Sequence, residues 1–103
     1  MHPIDERRKE LKFLIDALSK EQLHREYTKQ LVYDPIEKTD NPQWILNERS
    51  LMLDRTNMIR ASHHLLPVSF IEIYKAENSA KGHSDYTHKF ALYCLEYGRG
   101  ERE

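Results

Sequence analysis

The sequence predicts an all-α fold, a compact bundle of about five helices, on three observations. Apolar residues recur at helical rather than strand spacing along most of the chain. Two capping boxes, Ser19-Lys20-Glu21-Gln22 and Ser69-Phe70-Ile71-Glu72, each sit between apolar residues at the staple positions, Leu18 with Leu23 and Val68 with Ile73. Only three glycines occur in 103 residues, which disfavours a turn-rich β sandwich or barrel. The expected helices span approximately 3–18, 20–33, 42–65, 69–80 and 85–97.

The first helix opens on Pro3, whose missing N–H would be unpaired in a first turn anyway. Asp5 and Glu6 then complement the positive helix end. Leu11, Leu14, Ile15 and Leu18 form one stripe, which slips out of phase at Ser19, so a break or sharp kink is expected there. A second helix follows with Leu23, Tyr27 and Leu31 on one face. Asp34-Pro35 through Asn41-Pro42 reads as a surface loop, because the residue before each proline is pushed out of helical geometry.

The third helix carries apolar clusters at heptad spacing, Trp44-Ile45-Leu46, Leu51-Met52-Leu53, Met58-Ile59 and Leu65-Leu66, with polar runs between them. Three consecutive helical residues span about 200° of arc. That face is too broad for a two-stranded seam, so this helix is expected at the centre, ended by Pro67. Val68 to Tyr74 is rich in β-branched and aromatic residues and has a short strand as its alternative. The capping box favours a helix to Ala80, ended at Gly82. Ser84 caps the last helix, where Tyr86, Phe90, Tyr93, Cys94 and Tyr97 make one stripe widened by Leu92 and Leu95, and Gly98 closes it. Residues 1–98 read as one domain and 99–103 as a charged, frayed tail.

Sixteen basic residues against seventeen acidic ones give a net charge of −1, without the basic excess of a non-specific nucleic-acid binder. The basic run Arg7-Arg8-Lys9 is flanked by Glu6 and Glu10, as on a solvated helix face. Cys94 is the single cysteine, so no internal disulfide forms. With no apolar leader and no run of about 18 apolar residues, the chain reads as a cytoplasmic protein with no membrane segment.

His63, His64, His83, His88 and Cys94 are the weak candidates for metal ligation, but paired Cys-x2-Cys spacing is missing. The more ordinary reading places His63 and His64 in a helix's last turn and His83 and His88 at the staple positions around Ser84, leaving no metal and no cofactor expected. Glu21-x2-His24 and Asp85-x2-His88, with Glu48 and Glu72, would make a second, two-metal reading of the kind carboxylate bundles use. Cys94 lies inside an apolar stripe, and His88 is about 120° around the same helix, too far to act as its base. No Gly-rich phosphate loop or nucleophile elbow occurs, so catalysis is not expected. A helix-turn-helix around Pro67 fits poorly, lacking a glycine in the turn and basic side chains on the following helix.

Six tyrosines and one tryptophan are many for a core of this size, since each buried hydroxyl needs a partner. Trp44, Tyr86, Tyr93 and Tyr97, with Arg49, Arg55 and Arg60, are therefore the candidate partner-binding residues. The function expected from all this is a small non-enzymatic interaction module, an adaptor, regulator or inhibitor that binds another protein or a second copy of itself. The alternatives are a metal-binding helical bundle with His and carboxylate ligands, and nucleic-acid binding through a local Arg/Tyr surface.

Overall fold

The computed structural model describes residues 3–18 and 43–101, with 43–45 described as backbone only. Four helices and no strand are present among the described residues: α1 (Pro3–Ile15), α2 (Gln43–Ser62), α3 (Phe70–Ala80) and α4 (Tyr86–Gly98). The all-α expectation therefore stands. The helix expected over 20–33, the Ser19 capping box and the proline loop from Asp34 to Pro42 lie outside the described residues.

α1 stops at Ile15, three residues earlier than expected, where the backbone tightens into i→i−3 bonds from Ala17 to Leu14 and Leu18 to Ile15. Leu14, Ala17 and Leu18 are buried at this end. Pro67 is not what ends α2. His64 adopts a left-handed φ of 60°, Leu65 N–H donates to Arg60 C=O, and His64 N–H donates to Ala61 C=O. That is a Schellman close with histidine in the place glycine usually takes, and it ends the helix at Ser62 rather than Leu65.

The Ser69 cap forms as the sequence predicts. Ser69 Oγ accepts from Ile71 N–H, and Glu72 Oε2 accepts from both Ser69 N–H at 2.8 Å and Ser69 Oγ at 2.7 Å. The strand alternative for Val68–Tyr74 is excluded, because helix begins at Phe70. Asn57, on α2, grips the extended residue just ahead of this cap. Its side-chain amide donates to Val68 C=O at 3.1 Å, and its carbonyl accepts from Val68 N–H at 2.8 Å. Gly82, at φ 89°, takes the left-handed position after α3.

α4 differs from expectation at both ends. Its N-cap is Asp85, not Ser84, and the staple positions then fall on Ser84 and Lys89, so His83 and His88 are simply exposed. At the other end Gly100, with φ 76°, is the left-handed residue: its N–H donates to Tyr97 C=O, and Glu101 N–H donates to Glu96 C=O. Gly98 is instead a packing glycine inside the helix. A Cβ there would sit 3.3 Å from Ile59 Cγ2 and 3.6 Å from the Thr56 carbonyl, so α2 lies against position 98 and a side chain there would push Ile59 back by a few tenths of an ångström.

α2 has neighbours on more than one side, as expected, but it shares the centre with α4. Each packs against the other three described helices, α4 the more extensively, while α1 and α3 do not touch each other. Phe90, Ala91, Cys94 and Leu95 are completely buried. Removing Phe90 and Leu95 from water stabilises the fold by roughly 1.5–3 kcal/mol each. α2 buries Met52, Thr56 and Ile59 but leaves Leu51 and Met58 in solvent, so its broad apolar face is only partly covered.

Candidate functional site

Two groups of charged side chains hold the helices together, and they differ in access to solvent. In the first, Glu77 of α3 sits on the helix face that also carries Ile73 and Ala80, and its side chain is completely buried. Arg49 of α2, 2% exposed, reaches it with a forked contact, Nε to Oε1 at 3.2 Å and a second nitrogen to Oε2. Tyr86 of α4 donates its hydroxyl to Glu77 Oε2 at 3.0 Å. The Arg49 guanidinium also lies 4.9 Å from the centre of the Phe90 ring.

Burial by itself would lower the pKa of Arg49. The charges of Glu77 and Tyr86 and the hydrogen bonds to Glu77 outweigh it, holding the guanidinium above its ordinary range. One guanidinium nitrogen, Nη1, and the Thr56 hydroxyl remain buried without a hydrogen-bond partner. Beside them, burial pushes the Cys94 thiol well above its ordinary value, against a weaker opposing pull from the Arg49 charge. Such a thiol is not a nucleophile. This cluster is sealed, and its chemistry is structural.

The three arginines proposed to meet a partner are thus committed inside the molecule. Arg49 is buried in the pair just described. Arg55 donates to the Phe13 carbonyl near the end of α1 at 2.7 Å and stacks 4.5 Å over the Phe13 ring. Arg60 donates to the Leu66 and Tyr97 carbonyls, capping the end of α4. Tyr86 and Tyr97 are buried, and Tyr93 is half-buried against the core. Burial removes Arg49, Tyr86 and Tyr97 from any docking surface. The Trp44 side chain lies outside the described set.

The second charged group is accessible. Glu10 of α1 accepts from His63 Nε2 at 2.8 Å on one carboxylate oxygen and from Arg99 on the other. Arg99 continues to Glu101 at 2.9 Å, and Glu101 takes both oxygens to Arg7 at 2.8 Å. The first residues of the tail expected to fray are therefore tied to α1. The hydrogen bond from Arg7, helped by the charges of Arg7 and Arg99, holds the Glu101 carboxyl below its ordinary range. Glu6, one turn before Glu10, stands beside the same cluster: ligand atoms of Glu6, Glu10 and His63 all lie within 4.8 Å of one another.

Among the described residues this is the one group of three or more potential metal donors. The other weak metal candidates do not join it. His64, His83 and His88 are exposed, and Cys94 is in the core. In the two-metal reading, Glu72 is occupied by the Ser69 cap and Asp85 and His88 point into solvent, while Glu21 and His24 lie outside the described residues. Sequence reasoning missed Glu77, Glu10 and Glu6. The signal was present for Glu77 and Glu10, since each interrupts an apolar stripe, with Ile73 and Ala80 or with Leu14, where a carboxylate needs a cation.

The surface offers a third feature. Of the exposed large hydrophobics among the described residues, Leu51, Met58, Leu66, Phe70 and Ile71 lie on α2, the α2–α3 connection or the start of α3, and Ile4 lies on α1. Leu51 and Met58 are seven residues apart and share one helix face within about 20°. Leu46, Ser50, Phe70 and Tyr74 line a groove of about 160 Å³ between α2 and α3. No helix among the described residues is long and apolar enough to cross a membrane. Comparison with protein-family models, curated proteins and solved structures found no match for this chain.

Proposed function

We propose that this chain is a non-catalytic helical interaction module that binds another protein through the α2–α3 face. One observation carries the reading. Five of the six exposed large apolar side chains among the described residues, Leu51, Met58, Leu66, Phe70 and Ile71, lie on α2, the α2–α3 connection or the start of α3, and Phe70 also lines the groove with Leu46, Ser50 and Tyr74. Apolar patches on a small protein's surface mark binding sites more often than accidents of folding. The docking residues differ from those the sequence suggests: aliphatic and Phe side chains replace the Arg/Tyr set. That substitution also removes the support for a nucleic-acid reading, whose arginines are spent on internal carbonyls and on Glu77.

Met58→Glu and Phe70→Glu test it, because both side chains are exposed and their exchange leaves the core intact. The expected result is a partner recovered by the wild-type chain from its native host and lost with either variant, at unchanged thermal stability. Self-association would instead appear in sedimentation as a dimer that both variants dissociate. A monodisperse monomer with no recovered partner overturns the proposal.

A further inference from the structure

We infer that Glu6, Glu10 and His63 form a binding site for a divalent transition-metal ion, of the zinc, cobalt or manganese class, at the junction of α1 and the end of α2. This site is separate from the apolar face and stands or falls without it. Glu6 and Glu10 are one helical turn apart, so both carboxylates leave α1 on the same side. His63 reaches them from the residue that follows α2, next to the left-handed His64. All three side chains are half-buried, which limits the rotamer freedom lost on binding.

The charge balance favours a cation. Among the described residues the Arg7 and Arg99 guanidiniums beside this cluster are both engaged by Glu10 and Glu101. Glu6 forms no ion pair or hydrogen bond among the described residues, although it sits within 4.8 Å of Glu10 and His63. Among the described residues it is the carboxylate of this cluster left uncompensated. Arg99 holds one Glu10 oxygen and leaves the other directed at His63, the outer-shell arrangement that orients a metal-bound carboxylate.

The donor set points to the metal class. One imidazole with two carboxylates suits zinc and its neighbours, whereas calcium and magnesium prefer all-oxygen shells. Ligand atoms on a tetrahedral zinc lie about 3.3 Å apart, so Glu6 must close inward and the His63–Glu10 contact must open slightly. Three protein ligands leave a fourth position for water or a partner's side chain.

The test uses the full chain without a histidine tag, titrated with Co²⁺ and then Zn²⁺. One equivalent of Co²⁺ with visible d–d absorption, displaced by Zn²⁺, is the expected result. Glu6→Gln should weaken binding at least about tenfold while the metal-free melting temperature stays put, because Glu6 holds nothing else in place. His63→Gln should abolish binding; if that variant is destabilised, Glu6→Gln still decides. The proposal is overturned if the wild-type chain takes up no stoichiometric metal, or if Glu6→Gln binds as tightly as wild type, which would place the ion elsewhere.

Discussion

The Arg49–Glu77–Tyr86 cluster and the Arg7–Glu101–Arg99–Glu10–His63 chain use the same chemistry in opposite surroundings. Both join helices far apart in sequence through guanidinium–carboxylate contacts. The first is sealed, with Arg49 at 2% and Glu77 at 0% exposure, while Arg7 and Glu101 of the second stand about 40% open to water. The same bond therefore carries different consequences. A buried charge without its partner is expensive, whereas a solvated one finds water. The sealed cluster specifies how α2, α3 and α4 meet; the open chain can exchange its partners, and so is the one able to admit a ligand.

Breaking the sealed pair should give the largest effect. Glu77→Leu leaves the Arg49 charge buried alone and is expected to cost about 3–5 kcal/mol, read as a lower urea midpoint. It should also make Cys94 react with a thiol reagent at pH 8, which the folded wild-type chain resists because the thiol is fully buried and its pKa raised. The double variant Arg49→Met/Glu77→Leu should recover at least half of that loss, since two apolar groups of similar volume often replace a buried pair without penalty. If the double variant is as unstable as the single one, shape rather than charge sets the cost.

An intermediate case is Glu72, a carboxylate at a partly open helix start. Ser69→Ala is expected to cost about 1 kcal/mol. Burial would raise the Glu72 pKa, but hydrogen bonds from the Ser69 hydroxyl and backbone prevail and lower it. A carboxyl depressed in the folded state contributes its full stability above the unfolded value, and that contribution is lost as pH falls through the lowered one. The acid side of the stability profile should therefore flatten in Ser69→Ala.

The smallest effect is expected from Glu101→Gln at the open end, at most about 1 kcal/mol at low salt and near zero in 1 M salt. Its pKa is lowered, first by the hydrogen bond from Arg7, so the wild-type contribution too is lost as pH falls through the acid range. A loss in Glu101→Gln as large as in Glu77→Leu would erase the distinction between the two clusters.

What was legible in the sequence was local. The Ser69–Glu72 box, the helix to Ala80 and the left-handed Gly82 follow from short-range chemistry, and all appear. The end of α2 was not legible, because a histidine at φ 60° has no glycine to announce it. Gly98 and Gly100 both suit a helix end by composition; only the approach of Ile59 shows that the first is there for packing. Arg49 sits in the polar run Asn47–Ser50 and reads as solvated, and nothing local says that α3 will bring a carboxylate to it. The Glu6–Glu10–His63 cluster failed to show for the same reason, its halves lying more than fifty residues apart.

Arg60 ties two places that the chain's order keeps apart, the Leu66 carbonyl in the α2–α3 connection and the Tyr97 carbonyl at the end of α4. One guanidinium cannot release one without loosening its hold on the other. Amide protons of residues 63–69 and 98–101 should thus exchange with deuterium as a single cooperative unit, opening before the helices themselves. The face that carries Leu66 and Phe70 would then be reshaped together with the end of α4, a segment distant in the chain but adjacent in space.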